Sequence, residues 1–522
     1  MWKTSPFFIF IITAFTFFWL SACQQESFTS PPPTDAKLSQ TVDIKDGETY
    51  ELTAAPVKKI IAGQEQNLIA YNGMLPGPTI RVKQWSTIKI LFKNNTKLPD
   101  TLHSHGVRLD NASDGIPNVT QKPVMPGGTF LYTVHFPDAG VYWYHPHMSE
   151  PEKQESGLFG NFVVVPDEKH EWAAVVDREV PLILHDVLLY TDGVLESFDH
   201  KNDQYALMGR YGNKQMINWD EDYTLHAKKW EIVRFYFTNA SNARPYNLVI
   251  DGVKMKRVGG DNGAYERETW ENSIILWPSE RSIVETRFDS AGEFLIQNRI
   301  PQWDVTLWKI VVTEDPSFLT HWNVRDFETL HHYASTTESI KPFRANFDKT
   351  PDKDITLTMS MQGMMAEHMK SMGSMNMGGM KDDVSVKDGI EWDTGDGMMQ
   401  MMNQMSDMKN VSWKIIDNST KQENMMIHWN FQKGDMVKIH IFNDPHSPHP
   451  MQHPIHLHGE RFLVLSTDGK KNDNLVWKDT VLVPLGSSMD ILVDMSNPGD
   501  WMGHCHISSH LENGMMFHFS VQ

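Results

Sequence analysis

Cysteine is nearly absent: the 522 residues include only 2. That excludes a disulfide scaffold, and it excludes zinc ribbons and thiolate-held iron–sulfur clusters, which need several thiols. Basic charge is also scarce, with 47 Lys and Arg against 66 Asp and Glu and a formal net charge of -19. Phosphate binding needs clustered cations, so the balance argues against nucleic acid as a partner. Beyond the N-terminus there is no apolar stretch long enough to cross a membrane. No P-loop, G-x-G-x-x-G, G-x-S-x-G or H-E-x-x-H occurs, which removes the commonest nucleotide, hydrolase and zinc-protease readings. What the chain does have is 24 His and 31 Met. Its 40% apolar and 11% aromatic content reads as globular. At roughly 100–200 residues per domain, its length suggests three domains.

Residues 1–22 carry one charge, Lys3, then an apolar run from Phe7 to Leu20 and the small pair Ser21-Ala22. This is the pattern of a signal peptide. Leu20-Ser21-Ala22-Cys23 resembles a bacterial lipobox, which implies lipidation of Cys23 as the first mature residue. Residues 23–40 then read as a lipidated tether with a stiff proline stretch. The expectation is an exported, membrane-anchored lipoprotein facing the periplasm. Gln24 after Cys23 favours the outer membrane.

Between 41 and 316 short alternating segments such as Thr87-Ile88-Lys89-Ile90-Leu91-Phe92 are separated by turn residues. Period two with β-branched and aromatic residues predicts strands, and their spacing predicts antiparallel sandwiches. A weak repeat sets Ile88-Lys89-Ile90 to Asn94 beside Ile232-Val233-Arg234 to Asn239 and Val437-Lys438-Ile439 to Asn443. The fold class is therefore all-β, with domains at 41–168, 178–316 and 350–522 and a linker over 317–349. Residues 359–408 break the pattern: they hold 15 Met among Gly, Ser, Asp and Lys, with few other apolar residues.

Four windows carry the chemistry: His103-Ser104-His105, His145-Pro146-His147, His456-Leu457-His458 and His504-Cys505-His506. On a strand, residues i and i+2 share a face. Each pair can therefore present two imidazoles on one side, and eight converging imidazoles would hold several metal ions. Cys505 points to the opposite face, one covalent step from two of those ligands. One thiolate, two imidazoles and a distant thioether form the blue-copper set. His510 and Met515 follow Cys505 at five-residue intervals, and His453 supplies the second imidazole. A lone His-x-His is weak evidence, but four pairs, one enclosing the only cysteine left after signal removal, point to copper. The other histidines read as surface or core residues.

With these windows, and with Asn72-Gly73-Met74-Leu75-Pro76-Gly77-Pro78-Thr79-Ile80, the chain resembles the multicopper oxidases of the laccase and cuprous oxidase type over residues 70–520. The resemblance implies three cupredoxin-like Greek-key sandwiches and four copper ions. It implies type 1 copper at His453, Cys505, His510 and Met515, and type 2 copper at His103 and His456. The type 3 pair would take His105, His145, His147, His458, His504 and His506. Asp114 matches an acid that supports proton supply in the family. Some relatives carry a Glu directly after the last type 1 histidine, where this chain has Leu511 followed by Glu512, so the resemblance leaves both Asp114 and Glu512 as candidates for proton supply.

The implied reaction couples one-electron oxidation of a donor to four-electron reduction of dioxygen to water. Thioethers are soft and favour Cu(I). By resemblance, 359–408 corresponds to a Met-rich insertion in the third domain of cuprous oxidases. Met359, Met361, Met364 and Met365, with Met451, are then candidates for the substrate Cu(I) site. Met451 matches a substrate-site Met, but His449 stands where that site has an Asp. Fe(II) and phenols are alternative donors, and a non-enzymatic, Met-rich copper-sequestering protein is the alternative of a different class.

Overall fold

The computed structural model describes residues 28–166, 176–198, 204–318, 324–363, 388–393 and 397–522. The expected signal peptide, Cys23, Met364 and Met365 lie outside the described residues. Among the described residues, six β-sheets fall in three successive pairs. In the first pair a sheet built around Thr49–Ile61 and Thr87–Asn94 faces a five-stranded sheet. That second sheet runs Thr41–Asp43, Thr79–Lys83, Gly160–Val165, Gly140–Pro146, Leu102–His105. Two similar pairs occupy Arg178–Thr313 and Lys353–Val521. The chain is thus all-β, with cupredoxin-like sandwiches.

The alternation explains the first core. Ile88, Ile90 and Phe92 are fully buried, while the residues between them face outward. The strand Ile232–Asn239 differs, being buried on both faces. Its second face packs on neighbouring units, where Tyr236 joins Val141 and Val163 of the first pair of sheets in one apolar cluster.

Three expectations need correction. The sheets are not purely antiparallel: Thr49–Ile61 pairs parallel with Thr87–Asn94, and Lys353–Met361 pairs parallel with Asp435–Asn443. A strand that reaches its neighbour by crossing the sandwich, rather than through a hairpin, arrives in the same direction. The tether over 23–40 is too long, because Thr34 and Asp35 pair with Val57 and Lys58 on the first sheet. Nor is 317–349 bare connection: it contains the helix Ala334–Ile340, and Ile340 and Phe343 are buried against Leu463, Trp477 and Leu492.

Candidate metal centres

The histidine windows sit at the ends of paired strands. Leu102–His105 runs antiparallel to Gly140–Pro146 with His103 opposite His145. His453–Leu457 runs antiparallel to Gly499–Cys505 with His456 opposite His504. His147, His458 and His506 each follow the last residue of a strand, so three of the four pairs straddle a strand end, while His103 and His105 both lie within Leu102–His105. The first and third pairs of sheets bring these ends together. Ligand-capable nitrogens gather within 4.8 Å in the groups His103–His105–His456, His105–His145–His506 and His147–His458–His504.

One ring nitrogen of several histidines is already engaged. His103 Nδ1 donates to the Asp114 carbonyl at 2.7 Å, and His456 Nδ1 donates to the Asp479 carbonyl at 2.8 Å. His145 and His504 donate to the carbonyls of Pro146 and Cys505. His105 Nε2 donates to Asp479 Oδ1 at 3.0 Å, and His458 Nδ1 to Asp114 Oδ2 at 3.1 Å. Such bonds fix the tautomer and turn the other nitrogen's lone pair inward. The atoms so turned, His103 Nε2, His105 Nδ1, His145 Nε2 and His456 Nε2, are buried without a hydrogen-bond partner, as are His147 Nε2 and both ring nitrogens of His506. His458 Nε2 and His504 Nε2 face one another at 3.0 Å. Buried polar atoms normally find partners. A set of orphaned imidazole nitrogens aimed at common points fits metal ions.

Electrostatics agree. Burial holds the rings of His105, His145, His458, His504 and His506 well below the ordinary histidine range and puts His147 at about 3. These rings are therefore neutral, as ligands must be. Burial works to raise the carboxyl of Asp114, but the adjoining His458 and His103 rings and the hydrogen bonds they make to it hold it well below the carboxylate range. Burial also works against ionised Asp479, and Arg281 outweighs it.

The second centre lies inside the core of the third unit. Cys505 is fully buried, with Sγ 3.6 Å from His453 Nδ1 and 3.7 Å from His510 Nδ1. Met515 is buried in the same core cluster. Its amide donates to the His510 carbonyl and its carbonyl accepts from the Cys505 amide, which closes the returning loop. His453 Nε2 and His510 Nε2 are also orphaned. The donor set fits copper of the blue type.

Several residues at these sites were not legible in the sequence. Trp413 stacks on His510 at 4.2 Å and meets His453 edge-on at 4.8 Å. Its Nε1 donates to the Ala206 carbonyl in a loop of the middle unit. Glu150, with both carboxyl oxygens buried, lies 3.9 Å from His145 Nδ1 and 3.8 Å from His506 Nδ1. Burial, with Glu512 nearby, pushes its pKa well up. Glu512 itself is only partly buried. His449 has an acidic neighbour after all, since its Nε2 lies 3.5 Å from Glu391 Oε2.

The methionine segment divides. Met359 is a buried strand residue opposite Trp413, and Met361 is partly buried against the same core. Met451 is buried there as well. Met359 and Met402 thus belong to the core, although the composition of 359–408 is not a core pattern; Met's unbranched chain fills irregular gaps. The helix Gly397–Gln404 exposes Met401, and Met405 and Met408 beyond it are exposed too. Asn403 accepts from the Met208 amide at 2.9 Å and donates to the Gly209 carbonyl at 2.7 Å. Ser406 accepts from the Leu207 amide. These bonds fasten the helix to the loop that Trp413 also holds.

Two family models, each described as "Multicopper oxidase", match residues 54–169 and 394–522. The chain belongs to the multicopper oxidase family. It is accordingly a copper-binding oxidoreductase. The multicopper oxidase mco of Staphylococcus aureus is 25% identical over 91% of this chain and 88% of its own length. Copper resistance protein A of Escherichia coli is 23% identical over 91% of this chain and 93% of its own. The solved structure of the McoA multicopper oxidase of Aquifex aeolicus covers 94% of this chain and 100% of its own, with TM-score 0.68 and 22% identity.

Proposed function

We propose that this multicopper oxidase oxidises Cu(I) and reduces dioxygen to water, in copper tolerance. Four resident coppers would supply one-electron acceptance at one centre and four-electron delivery at the other. His453, Cys505 and His510, with Met515 as weak axial ligand, would hold type 1 copper. His103 and His456 would hold type 2 copper. His105, His145 and His506 would hold one type 3 ion, and His147, His458 and His504 the other. Cys505 links the centres covalently through His504 and His506. Asp114 orients His103 and His458, and the Glu150 carboxyl, its pKa pushed well up by burial, lies beside His145 and His506.

The observation that carries the Cu(I) reading is the methionine helix fastened to the loop over the type 1 site. Its exposed thioethers, Met401, Met405 and Met408, suit a soft monovalent ion. Changing these three to Leu keeps helix propensity and bulk. The variant's KM for Cu(I) is expected to rise several-fold, with kinetics on dimethoxyphenol unchanged. Equal effects on Cu(I), Fe(II) and dimethoxyphenol would refute a Cu(I) role and leave ferroxidase or phenol oxidase activity. Copper binding without oxygen uptake would favour sequestration.

The chain is further proposed to reach the periplasm as a lipoprotein through Cys23. Radiolabelled palmitate is expected in the mature protein and not in Cys23→Ala, and an unlabelled mature protein refutes the anchor.

A further inference from the structure

The middle pair of sheets supplies none of the eight paired histidines, yet one of its side chains reaches the histidine cluster. Arg281 opens the strand Arg281–Arg287 and is fully buried with Asp479. Its backbone amide donates to Asp261 Oδ1 at 2.8 Å. Its Nε donates to the Val141 carbonyl at 2.9 Å, on the strand that leads to His145. Nη1 donates to Asp479 Oδ1 at 2.8 Å and to the Ser279 carbonyl at 2.8 Å, and Nη2 donates to Asp479 Oδ2. The fork is therefore bidentate, with every nitrogen engaged.

Asp479 passes this constraint on. Its Oδ1 accepts from His105 Nε2 at 3.0 Å and from Thr480 Oγ1 at 2.9 Å, and its carbonyl accepts from His456 Nδ1 at 2.8 Å. His105 and His456 are stacked, with ring centroids 3.7 Å apart. One carboxylate residue thus aligns a histidine of the first unit with one of the third. Gly106 makes room for it: at φ +80° its backbone lies in the left-handed region, and a Cβ there would collide with both Asp479 and Arg281.

We propose that Arg281 is a positioning residue for two histidines of the cluster, the type 2 ligand His456 and the adjoining type 3 ligand His105. It sets Asp479, and Asp479 sets the rings whose opposite nitrogens, His105 Nδ1 and His456 Nε2, turn to the metal. The inference rests on the assignment of His105 and His456 as copper ligands. A buried Arg–Asp pair is weak evidence of stability as such, and is better understood through the geometry it imposes. Lys carries the same charge but has a single flexible head and cannot reproduce the fork.

The test uses copper-loaded Arg281→Lys. Type 2 copper is expected to bind 10–100-fold more weakly, the scale on which outer-shell partners act. Its electron paramagnetic resonance signal is expected to change. The visible thiolate-to-copper band and the rate of type 1 reduction are expected to stay as in the parent. Arg281→Met with Asp479→Asn removes both charges together, leaves no buried unpaired ion, and is expected to give the same altered signal. Arg461→Lys is the comparator. Arg461 pairs with Asp138 across the first and third units at 2.7 Å and with Asp494, rather than with Asp479, so its loss is expected to lower Tm without altering the type 2 signal. Full type 2 occupancy with an unaltered signal in both Arg281 variants overturns the proposal, as does an Arg461→Lys signal altered to the same degree. If the loaded parent itself has no type 2 signal, it is the ligand assignment that falls.

Discussion

His185 stands apart from the metal windows, and it links stability to pH on its own. It lies on Arg178–Val187, is 1% exposed, and sits 4.4 Å from the Trp219 ring and 5.4 Å from that of Phe159. Burial lowers its pKa to about 3. The unfolded chain takes up that proton near the ordinary value of about 6.5. Between these values the unfolded state binds the proton and the folded state does not, so stability falls as pH falls. The slope for one such group approaches about 1.4 kcal/mol per pH unit. His185→Phe is expected to flatten the difference in unfolding free energy between copper-free parent and variant above pH 6.5 and to open it steadily below. Parallel curves down to pH 4 would exclude the effect. The same burial acts on the ligand histidines, which the sequence revealed because a strand repeats every two residues. Asp479, Arg281, Trp413 and Glu150 had no such signal. Arg281 and Asp479 are 198 residues apart and meet only through the packing of two sandwiches.

The element that positions Asp114 is a short turn. Asp110 Oδ1 accepts from the Ala112 amide and caps the 3-10 turn Asn111–Ser113. Gly115 follows Asp114 at φ +84°, and a Cβ on it would strike the Leu102 carbonyl of the strand that carries His103. Gly115→Ala therefore forces the turn away from the strand. The left-handed backbone alone costs about 1–2 kcal/mol for a residue with a Cβ, and the collision adds to it. The variant is expected to show a lower Tm and weaker type 2 copper binding, because the Asp114 carbonyl holds His103 and its carboxylate holds His458. Titration calorimetry on the copper-free protein would check this; unchanged affinity would mean that the turn does not position the ligands. Strand identity and the presence of turns were readable from local pattern. Pairing direction was not, because it depends on which sheet the chain enters next. The polar composition of 317–349 likewise gave no sign that Ile340 and Phe343 are buried.

At the scale of the whole molecule, each group in the histidine cluster mixes the first unit with the third. Copper bound there joins elements more than 300 residues apart in sequence, and the ligands carry no net positive charge that would oppose it. Binding to the folded state alone stabilises it by RT ln(1 + [L]/Kd), about 4 kcal/mol when free metal exceeds Kd a thousandfold. Removing copper under reducing conditions is therefore expected to lower Tm. The loss is also expected to be local. Hydrogen exchange is expected to accelerate at Leu102–His105 and His453–Leu457, where the ligand strands end. The strand Ile232–Asn239, buried on both faces and without a ligand, is expected to keep its protection. Equal acceleration in all three strands would mean that the sandwiches unfold as one body without copper. Protection unchanged at the ligand strands would mean that the interfaces hold them unaided. The first result would make the middle unit dependent on a metal it does not bind. The second would leave the Arg281–Asp479 fork as sufficient to hold His105 and His456 in place before copper arrives.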